Sequence, residues 1–243
     1  MQRFFVNKEN ISAEQIIITD SRVHQIRDVL RMRAGDEVIV LDNTGQEYKV
    51  RLTNISQREV KGQVIQQRKC LAEPHTKITL YQSLLARDKL EVVLQKCTEV
   101  GVTCFVPVVT ERSIVRKPEK ITKEKLARFE NIIAEASEQS GRGVIPVLHS
   151  PVVMSQALSE MANYDICLVA STKDCSSIKE ILRSSSSSPV RIALFVGPEG
   201  GFSDAELELF NSRGVQSISL GSRILRTETA GVVASAIILY ELE

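Results

Sequence analysis

The chain has 243 residues, of which 43% are hydrophobic and 25% charged, and its formal net charge is +1. These totals are typical of a globular protein with one large or two modest domains, and they argue against a histone-like nucleic-acid binder. Five cysteines without a Cys-x-x-Cys pair disfavour a disulfide framework and a zinc site, so we expect no metal. The start MQRFFVNKEN is not a signal peptide and no apolar run is long enough to span a bilayer, so we expect a cytoplasmic protein without a membrane partner.

The first 70 residues are predicted to be rich in β-strands. Short alternating or β-branched runs cover residues 4–6, 37–42, 46–55 and 60–65. The turn residues Asp42 to Gly45 predict a hairpin between two of these strands. Several short strands joined by turns indicate a small barrel.

One helix is predicted within this region, from Asp20 to Arg31. The basic side chains around it are His24, Arg27, Arg31 and Arg33, and the first three share one helix face. Two interpretations stay open: a solvated basic face, and a set of phosphate contacts that would position RNA without reading its sequence.

A polar segment around Pro74 marks the predicted boundary between domains 1–72 and 73–243. Beyond it, strands and helices alternate, which predicts an α/β domain with a parallel sheet. The predicted strands are 78–82, 104–109, 145–148, 165–170 and 192–196, and the predicted helices are 89–100, 122–140 and 155–162. The low-complexity run Ser184 to Ser188 is predicted to be a loop, and we assign it no function.

Two glycine-containing loops follow predicted strands near the C-terminus. Strand 192–196 ends in Gly197-Pro198-Glu199-Gly200-Gly201, and strand 215–220 ends in Gly221. Glycine lets a ligand approach the backbone closely, and ligands bind outside the carboxyl ends of parallel strands. The alternative for the first loop is an ordinary strand-to-helix connection. The missing Lys-Ser/Thr excludes a phosphate-binding P-loop.

The sequence also predicts where the helices after these two loops begin. Ser203 and Glu206 form a predicted capping box for the first helix. The second is predicted from Thr227, as its N-cap, to Tyr240, with Glu228 favourable in the first turn. Because nearly every residue from position 230 onward is apolar, this helix has no clear solvent face, and burial in the core and a homodimer interface both stay open.

The motifs GPEGGFS and LGSRILRTETA resemble those of the RsmE group of SPOUT methyltransferases. The resemblance extends to RFFV and His24–Arg31 at the start, to QKCTEVG in helix 89–100 and to EASEQSGR at 135–142, so it spans nearly the whole chain. It implies S-adenosylmethionine-dependent methylation of N3 of one uridine, position 1498 in the decoding region of bacterial 16S rRNA, in the 30S ribosomal subunit and by a homodimer. The alternatives are a related SPOUT enzyme acting on another RNA base, and a non-catalytic RNA-binding assembly factor.

The resemblance also implies a fold: a C-terminal SPOUT-type parallel sheet with a deep trefoil knot, preceded by a small PUA-like β-barrel that binds RNA. Within EASEQSGR it implies substrate contacts from Glu135, Gln139 and Arg142, whereas helix sequence alone indicates an exposed polar end. The cofactor would lie in three loops, and the implied cofactor-binding residues are Val169, Ala170, Gly197, Pro198, Glu199, Gly200, Gly201, Leu220, Gly221, Ile224, Leu225, Arg226 and Thr229.

The chemistry that this resemblance implies suggests catalytic candidates. Neutral uridine N3 is a poor nucleophile; a carboxylate could take its proton, and an arginine would stabilise the resulting anion. Arg112, Arg142 and Arg226 are candidates for the second role, and Glu199 and Glu228 for the first. Arg226 and Glu199 rank first because both flank the loops expected to hold the cofactor.

Overall fold

The computed structural model describes residues 1–86, 88–173, 175–184 and 191–243. The serine run that starts at Ser184 lies outside the described residues from position 185 onward. Two compact units are present, one of residues 1–73 with 137–145 and one of residues 74–136 with 146–243.

The first unit contains a five-stranded sheet in the order β1-β3-β4-β5-β2. The first pair of strands is parallel and the other three pairs are antiparallel. The strands are β1 Arg3–Phe5, β2 Gln15–Ile18, β3 Glu37–Leu41, β4 Gln46–Ile55 and β5 Val60–Lys69. The hairpin predicted at Asp42 to Gly45 is confirmed, and it joins β3 to β4. Strand β2 was not predicted.

The helical segment between β2 and β3 is short and changes geometry along its length. It begins as helix α1, Ser21–His24, and continues as a π-helical turn, Gln25–Val29. Asp20 precedes it with φ 64° and Arg31 follows it with φ 52°, both unusual for residues other than glycine. Ile26 and Val23 pack from this segment into the apolar core of the unit, with β1, β3 and β4.

The second unit is built on an eight-stranded sheet in which every described pair of strands is parallel. Its order is β11-β13-β10-β12-β6-β7-β8, with β9 paired to β7. The strands are β6 Lys77–Ser83, β7 Cys104–Val109, β8 Val147–Leu148, β9 Val152–Val153, β10 Ile166–Ala170, β11 Ser176–Ser177, β12 Arg191–Val196 and β13 Gln216–Ser219. The predicted α/β class is confirmed, whereas the trefoil knot stays a prediction.

Six further α-helices and three 3₁₀ helices complete the described chain. The α-helices are α2 Lys89–Val100, α3 Lys123–Ser140, α4 Met154–Leu158, α5 Ile178–Ser184, α6 Asp204–Ser212 and α7 Thr227–Leu242. The 3₁₀ helices are Lys8–Asn10, Pro118–Lys120 and Met161–Asn163. None of the helices in the described parts of the chain combines the length and apolarity needed to cross a membrane.

Of the two predicted N-terminal caps, the one at α6 is confirmed and the one at α7 is not. The capping box is confirmed at α6, because the Ser203 hydroxyl accepts from Glu206 N while the Glu206 carboxylate accepts from Ser203 N. The predicted N-cap of α7 is wrong by one residue. Arg226, with an extended backbone, is the N-cap, and Thr227 is the first helical residue, whose hydroxyl bonds the Gly197 carbonyl and not the helix.

Helix α7 has two unlike faces. Ala230, Ala234 and Ile238 are buried, and their side of the helix packs against β6, β12 and α2. On the other side Ala236 is exposed and the Tyr240 side chain is 87% exposed. The helix is therefore a core helix along one face only, although its sequence is apolar nearly all round.

Candidate active site

The three loops expected to hold a cofactor meet at one edge of the second unit's sheet. Strands β10, β12 and β13 are neighbours and run parallel, so their carboxyl ends lie side by side. Val169 and Ala170 end β10, residues 197–201 follow β12, and residues 220–225 follow β13. This edge, with the first turn of α7, forms the candidate active site.

A buried chain of hydrogen bonds ties the first loop to β6 and α7. The Gln82 amide Nε2 donates to the Thr227 hydroxyl at 3.1 Å and to the Val196 carbonyl at 3.3 Å. The Thr227 hydroxyl in turn donates to the Gly197 carbonyl at 2.5 Å. Gln82 is 2% exposed and Thr227 is buried. Sequence reasoning missed both as site residues, since nothing in the local sequence indicates contacts so distant along the chain.

Arg112 braces the same loop from the strand-to-helix connection after β7. Its Nη1 donates to the Gly200 carbonyl at 2.8 Å and to the Phe202 carbonyl at 3.3 Å. A Cβ on Gly200 would lie 3.4 Å from the Arg112 Cδ, which is an ordinary van der Waals contact, so the arginine packs directly against this residue. The contacts favour a positioning role for Arg112, whose predicted catalytic role stays a prediction.

Glu206 adds a second brace between the same two connections. One carboxylate oxygen accepts from the Ser203 N–H at 2.9 Å and the other accepts from the Glu111 N–H at 2.8 Å. The capping box is thus also a tertiary contact, which holds the start of α6 against the segment after β7.

Glu199 is ion-paired at the tip of the first loop. The Lys89 ammonium lies 2.9 Å from its carboxylate. Burial raises the pKa of the Glu199 carboxyl, but the hydrogen bonds from Lys89 and from backbone N–H groups outweigh burial, so the pKa lies below its usual value. A carboxylate held ionised in this way is a weaker proton acceptor than an unpaired one.

The second loop is much more open than the first. Its described side-chain bonds are local: the Ser219 hydroxyl donates to the Gly221 carbonyl and accepts from the Gly221 N–H. Gly221 has φ 107°, which requires glycine, and a Cβ built there would meet no atom within 4 Å. Ile224 is 87% exposed. The loop therefore offers bare backbone and an apolar side chain to solvent.

Arg226 and Glu228 bracket the start of α7. The Arg226 guanidinium is 84% exposed, and its Nη1 lies 4.0 Å from Glu228 Oε1. The Glu228 side chain is 18% exposed, and its Oε2 is shielded from water with no hydrogen-bond partner among the described residues. Gln82 Oε1 is likewise buried without a partner in the described chain.

The basic residues predicted to bind RNA lie in the first unit. Asp28 binds two of them: its carboxylate accepts two bonds at 2.7 Å from Arg27 and lies 2.6 Å from His24 Nδ1. These contacts, the Arg27 bonds foremost, lower the pKa of Asp28 to about 2. Arg31 and Arg33 are exposed, and their guanidinium groups have no ion pair within the described residues. Two of the four predicted RNA-binding side chains are thus already engaged by a carboxylate within the protein.

The three residues predicted from EASEQSGR are placed differently from one another. Glu135 and Gln139 are exposed on α3. Arg142 belongs to the first unit, is 2% exposed, and pairs with Glu73 at 2.9 Å. Glu73 also accepts from the N–H groups of Gly143 and Val144. Arg142 thus holds the segment after α3 in place, and its predicted contact with substrate stays a prediction.

A cavity of about 410 Å³ lies elsewhere in the second unit. Its walls include Tyr164, Asp165 and Ile166 at the start of β10, and Gln216 at the start of β13. It is therefore at the amino ends of the strands, opposite the glycine loops, and contains none of the predicted site residues. In the described chain no group of three or more His, Cys, Asp or Glu side chains could hold a metal ion.

The fold and the loop cluster define a class: a parallel α/β domain with a ligand edge, accompanied by a small β-rich unit. Comparison with known families indicates which reaction this class of protein catalyses. Residues 72–239 match the family model described as RNA methyltransferase domain, and residues 18–65 match the model described as RNA methyltransferase PUA domain.

Individual relatives narrow the assignment. The chain is 36% identical to "Ribosomal RNA small subunit methyltransferase E" of Bacillus subtilis, over 100% of this chain and 98% of the relative. A Neisseria gonorrhoeae protein of the same name, bound to S-adenosyl methionine, has a TM-score of 0.89 and 32% identity, covering 98% of this chain and 96% of its own. A putative methyltransferase from Legionella pneumophila, in complex with the cofactor SAM, has a TM-score of 0.87 and 30% identity, covering 97% and 96%. The chain belongs to the ribosomal RNA small subunit methyltransferase E family.

Proposed function

We propose that this protein transfers a methyl group from S-adenosylmethionine to N3 of one uridine in the decoding region of bacterial 16S rRNA. The observation that carries the proposal is the full-length similarity to relatives named for small-subunit rRNA methylation, one of which was solved with the methyl donor bound. The glycine loops that the sequence singles out lie together at the edge where parallel α/β sheets bind ligands.

The residues at this edge fit a cationic methyl donor. Gly201 and Gly221 leave their backbone bare, since a Cβ built on either would meet no atom within 4 Å. Gln82 Oε1 is a buried acceptor without a partner in the described residues. Residues 190–243 carry four Lys and Arg against seven Asp and Glu, a balance of −3, which favours a positively charged ligand over a phosphate.

Each part of the site has a distinct role in this proposal. When bound, S-adenosylmethionine supplies an electrophilic methyl group and keeps the electrons of the broken carbon–sulfur bond on sulfur. The first glycine loop would hold the donor against a backbone fixed by Thr227 and Arg112. Ile224 would cover its flat apolar surface, and Arg226 would stabilise negative charge on the carbonyl oxygens of the uracil.

The first unit would position the RNA. Arg31 and Arg33 present exposed guanidinium groups next to the helical segment 21–29, where contacts to phosphate oxygens would set the register of the RNA. We therefore expect Arg31→Ser with Arg33→Ser to weaken binding of small-subunit RNA, and the salt dependence of binding to become shallower by about one to two phosphate contacts.

The exposed apolar face of α7 supports a homodimer. Tyr240 is 87% exposed and Ala236 is exposed, although both lie on the helix that ends the catalytic unit. We expect sedimentation to give a dimer for the natural chain and a monomer for Tyr240→Asp. A monomeric natural chain would contradict this part of the proposal.

The modification itself provides the decisive test, because a methyl on N3 blocks Watson–Crick pairing and stops reverse transcriptase. A strain lacking this protein is expected to show no stop in the decoding region of its 16S rRNA, and the stop is expected to return with the natural gene. A stop at a different base would point to a related methyltransferase activity. No stop, with RNA binding retained, would point to a non-catalytic assembly factor.

A further inference from the structure

The carboxylates near the candidate site are not equally available. Four lie in the two glycine loops or in the first turns of the helices that follow them: Glu199, Asp204, Glu206 and Glu228. Three of these are engaged. Glu199 and Asp204 pair with lysines at 2.9 and 2.7 Å, and Glu206 accepts two backbone N–H groups. Glu228 differs because its Oε2 has no hydrogen-bond partner within the described chain.

The surroundings of Glu228 place this free oxygen in the site. Glu228 follows Thr227, whose hydroxyl bonds the carbonyl of Gly197 at the start of the first loop. Its other oxygen lies 4.0 Å from Nη1 of Arg226, the residue that ends the second loop. Residue 228 therefore lies in the first turn of α7, between a residue that bonds the first loop and the helix turn that follows the second loop. Oε2 is shielded from water and makes no hydrogen bond to the described residues, so it is not already engaged as an acceptor.

We propose that Glu228 Oε2 is the group that takes the N3 proton of the target uridine. This assignment rests on the proposed function. The N3–H bond breaks, its electron pair stays on N3, and the proton goes to Oε2, so Glu228 becomes a neutral carboxylic acid. N3 then gains the methyl group, and Glu228 returns its proton to water when the product leaves.

Arg226 completes this arrangement. The negative charge that N3 acquires spreads over the two uracil carbonyl oxygens, and a guanidinium close to Glu228 can donate to one of them. Because the Arg226 side chain is 84% exposed, it is free to turn towards a bound base. The proton acceptor and the anion-stabilising group then come from one segment, Arg226 to Glu228.

The same argument ranks Glu199 second. Its ion pair with Lys89 stabilises the charged form, so the carboxylate gains less by accepting a proton. The pair fits a role in fixing the tip of the first loop. Sequence reasoning ranked Glu199 ahead of Glu228 because Glu199 flanks the loops expected to hold the cofactor, and the tertiary structure reveals that this carboxylate already has a partner.

The test compares Glu228→Gln with Glu228→Asp and with the control Glu208→Gln, an exposed residue on α6 that loses the same charge. Three quantities are measured for each: the affinity for S-adenosylmethionine by calorimetry, the thermal unfolding temperature, and the rate of methyl transfer to small-subunit RNA at saturating donor across a range of pH. For Glu228→Gln we expect unchanged donor affinity and a rate about 100-fold lower. We expect Glu228→Asp to recover part of that rate and Glu208→Gln to behave like the natural chain.

The pH profile separates a proton acceptor from a merely structural residue. When the acceptor is missing, hydroxide from solvent must ionise N3, so the defect of Glu228→Gln is expected to shrink as the pH rises. The same variant should be partly rescued by RNA that carries 5-fluorouridine, because fluorine makes N3–H more acidic. A structural defect would lower the rate equally at every pH and with both bases.

Four results would overturn the assignment. Near-normal turnover of Glu228→Gln at neutral pH would exclude a proton-accepting role. A loss of donor affinity with an unchanged rate at saturation would instead make Glu228 a ligand of the donor's ammonium group. If Glu228→Gln does not fold, Glu228→Ala takes its place, and near-normal turnover of that variant at neutral pH would contradict the proposal. A natural chain that binds the donor but methylates no small-subunit RNA would refute the proposed function itself, and this assignment with it.

Discussion

The two glycine loops of the candidate site are built in contrasting ways. The first, residues 197–201, is held by the Thr227 hydroxyl, by the Arg112 guanidinium and by the Lys89–Glu199 ion pair. The second, residues 220–225, has only local bonds around Gly221 in the described structure, and Ile224 projects into solvent. One loop is rigidly supported from three neighbouring elements, and the other is open.

This difference predicts that the two loops bind the donor in different ways. A supported backbone binds a ligand without a large loss of conformational entropy, so the first loop can provide fixed hydrogen-bonding groups. An open loop with an exposed apolar side chain can close over a ligand and bury that side chain only in the complex. Substitutions in the supports of the first loop should therefore alter both stability and donor affinity, whereas substitutions in the second should alter affinity alone.

The largest effect is expected from Thr227→Val, which removes the link between Gln82 and the first loop. The Gly197 carbonyl loses its buried donor, so the free energy of unfolding should fall by about 1–3 kcal/mol. Because the loop is then released, affinity for S-adenosylmethionine should fall about tenfold or more. Denaturant unfolding and calorimetry measure the two quantities. Thr53→Val, at an exposed position of β4, is the control, and equal effects of both variants would contradict the special role of Thr227.

Ile224→Ser tests whether the second loop affects donor affinity without affecting stability. The side chain is already exposed, so the free energy of unfolding should stay within about 0.5 kcal/mol of the natural value. If Ile224 covers the donor, losing its apolar contact should weaken donor binding by about tenfold. A stability loss as large as that of Thr227→Val would show that the second loop is not open in the free protein.

Arg112→Met tests the second support of the first loop. The variant loses the charge-assisted bonds to the carbonyls of Gly200 and Phe202 but keeps most of the aliphatic stem. We expect donor affinity to fall by about threefold to tenfold, less than for Thr227→Val, since the bond is exposed to solvent. Arg116→Met, four residues on in an exposed segment, is the matched control and should bind the donor normally. Undiminished donor affinity of Arg112→Met would show that the Arg112 bonds do not support the first loop in its donor-binding conformation.

The smallest effect is expected from Glu199→Gln, which breaks the ion pair with Lys89. The pKa of Glu199 is lowered in the folded protein, so its contribution to stability is present above the ordinary pKa of a glutamate and is lost as the pH falls through the folded pKa. At neutral pH and low salt the variant should be less stable by no more than about 1 kcal/mol. Thermal unfolding at several pH values measures this, and a difference that persists in acid or in high salt would argue against the ion pair.

Much of the fold could be predicted from sequence because its signals are local. The apolar runs and capping residues gave the bounds of α2, β4 and β7 as the structure has them. The capping box at Ser203 and the hairpin after β3 were also predicted correctly. The π-helical turn at 25–29 was not predicted, since its residues have ordinary helical propensity and do not distinguish a π-helix from an α-helix.

Some features of the candidate site could likewise be predicted from local sequence, whereas others depend on residues far apart in the chain. Sequence alone singled out the two glycine loops, the acidic and basic residues beside them and the apolar last helix, because each is a short pattern with its own chemistry. The tertiary structure decided which of those charges are free. Gln82 reaches Thr227 across 145 positions, Thr227 reaches Gly197 across 30, and Arg142 reaches Glu73 across 69. Such partners are joined by the path of the folded chain and not by nearby sequence, so the buried Oε2 of Glu228, which lacks a partner among the described residues, is recognised only in the tertiary structure.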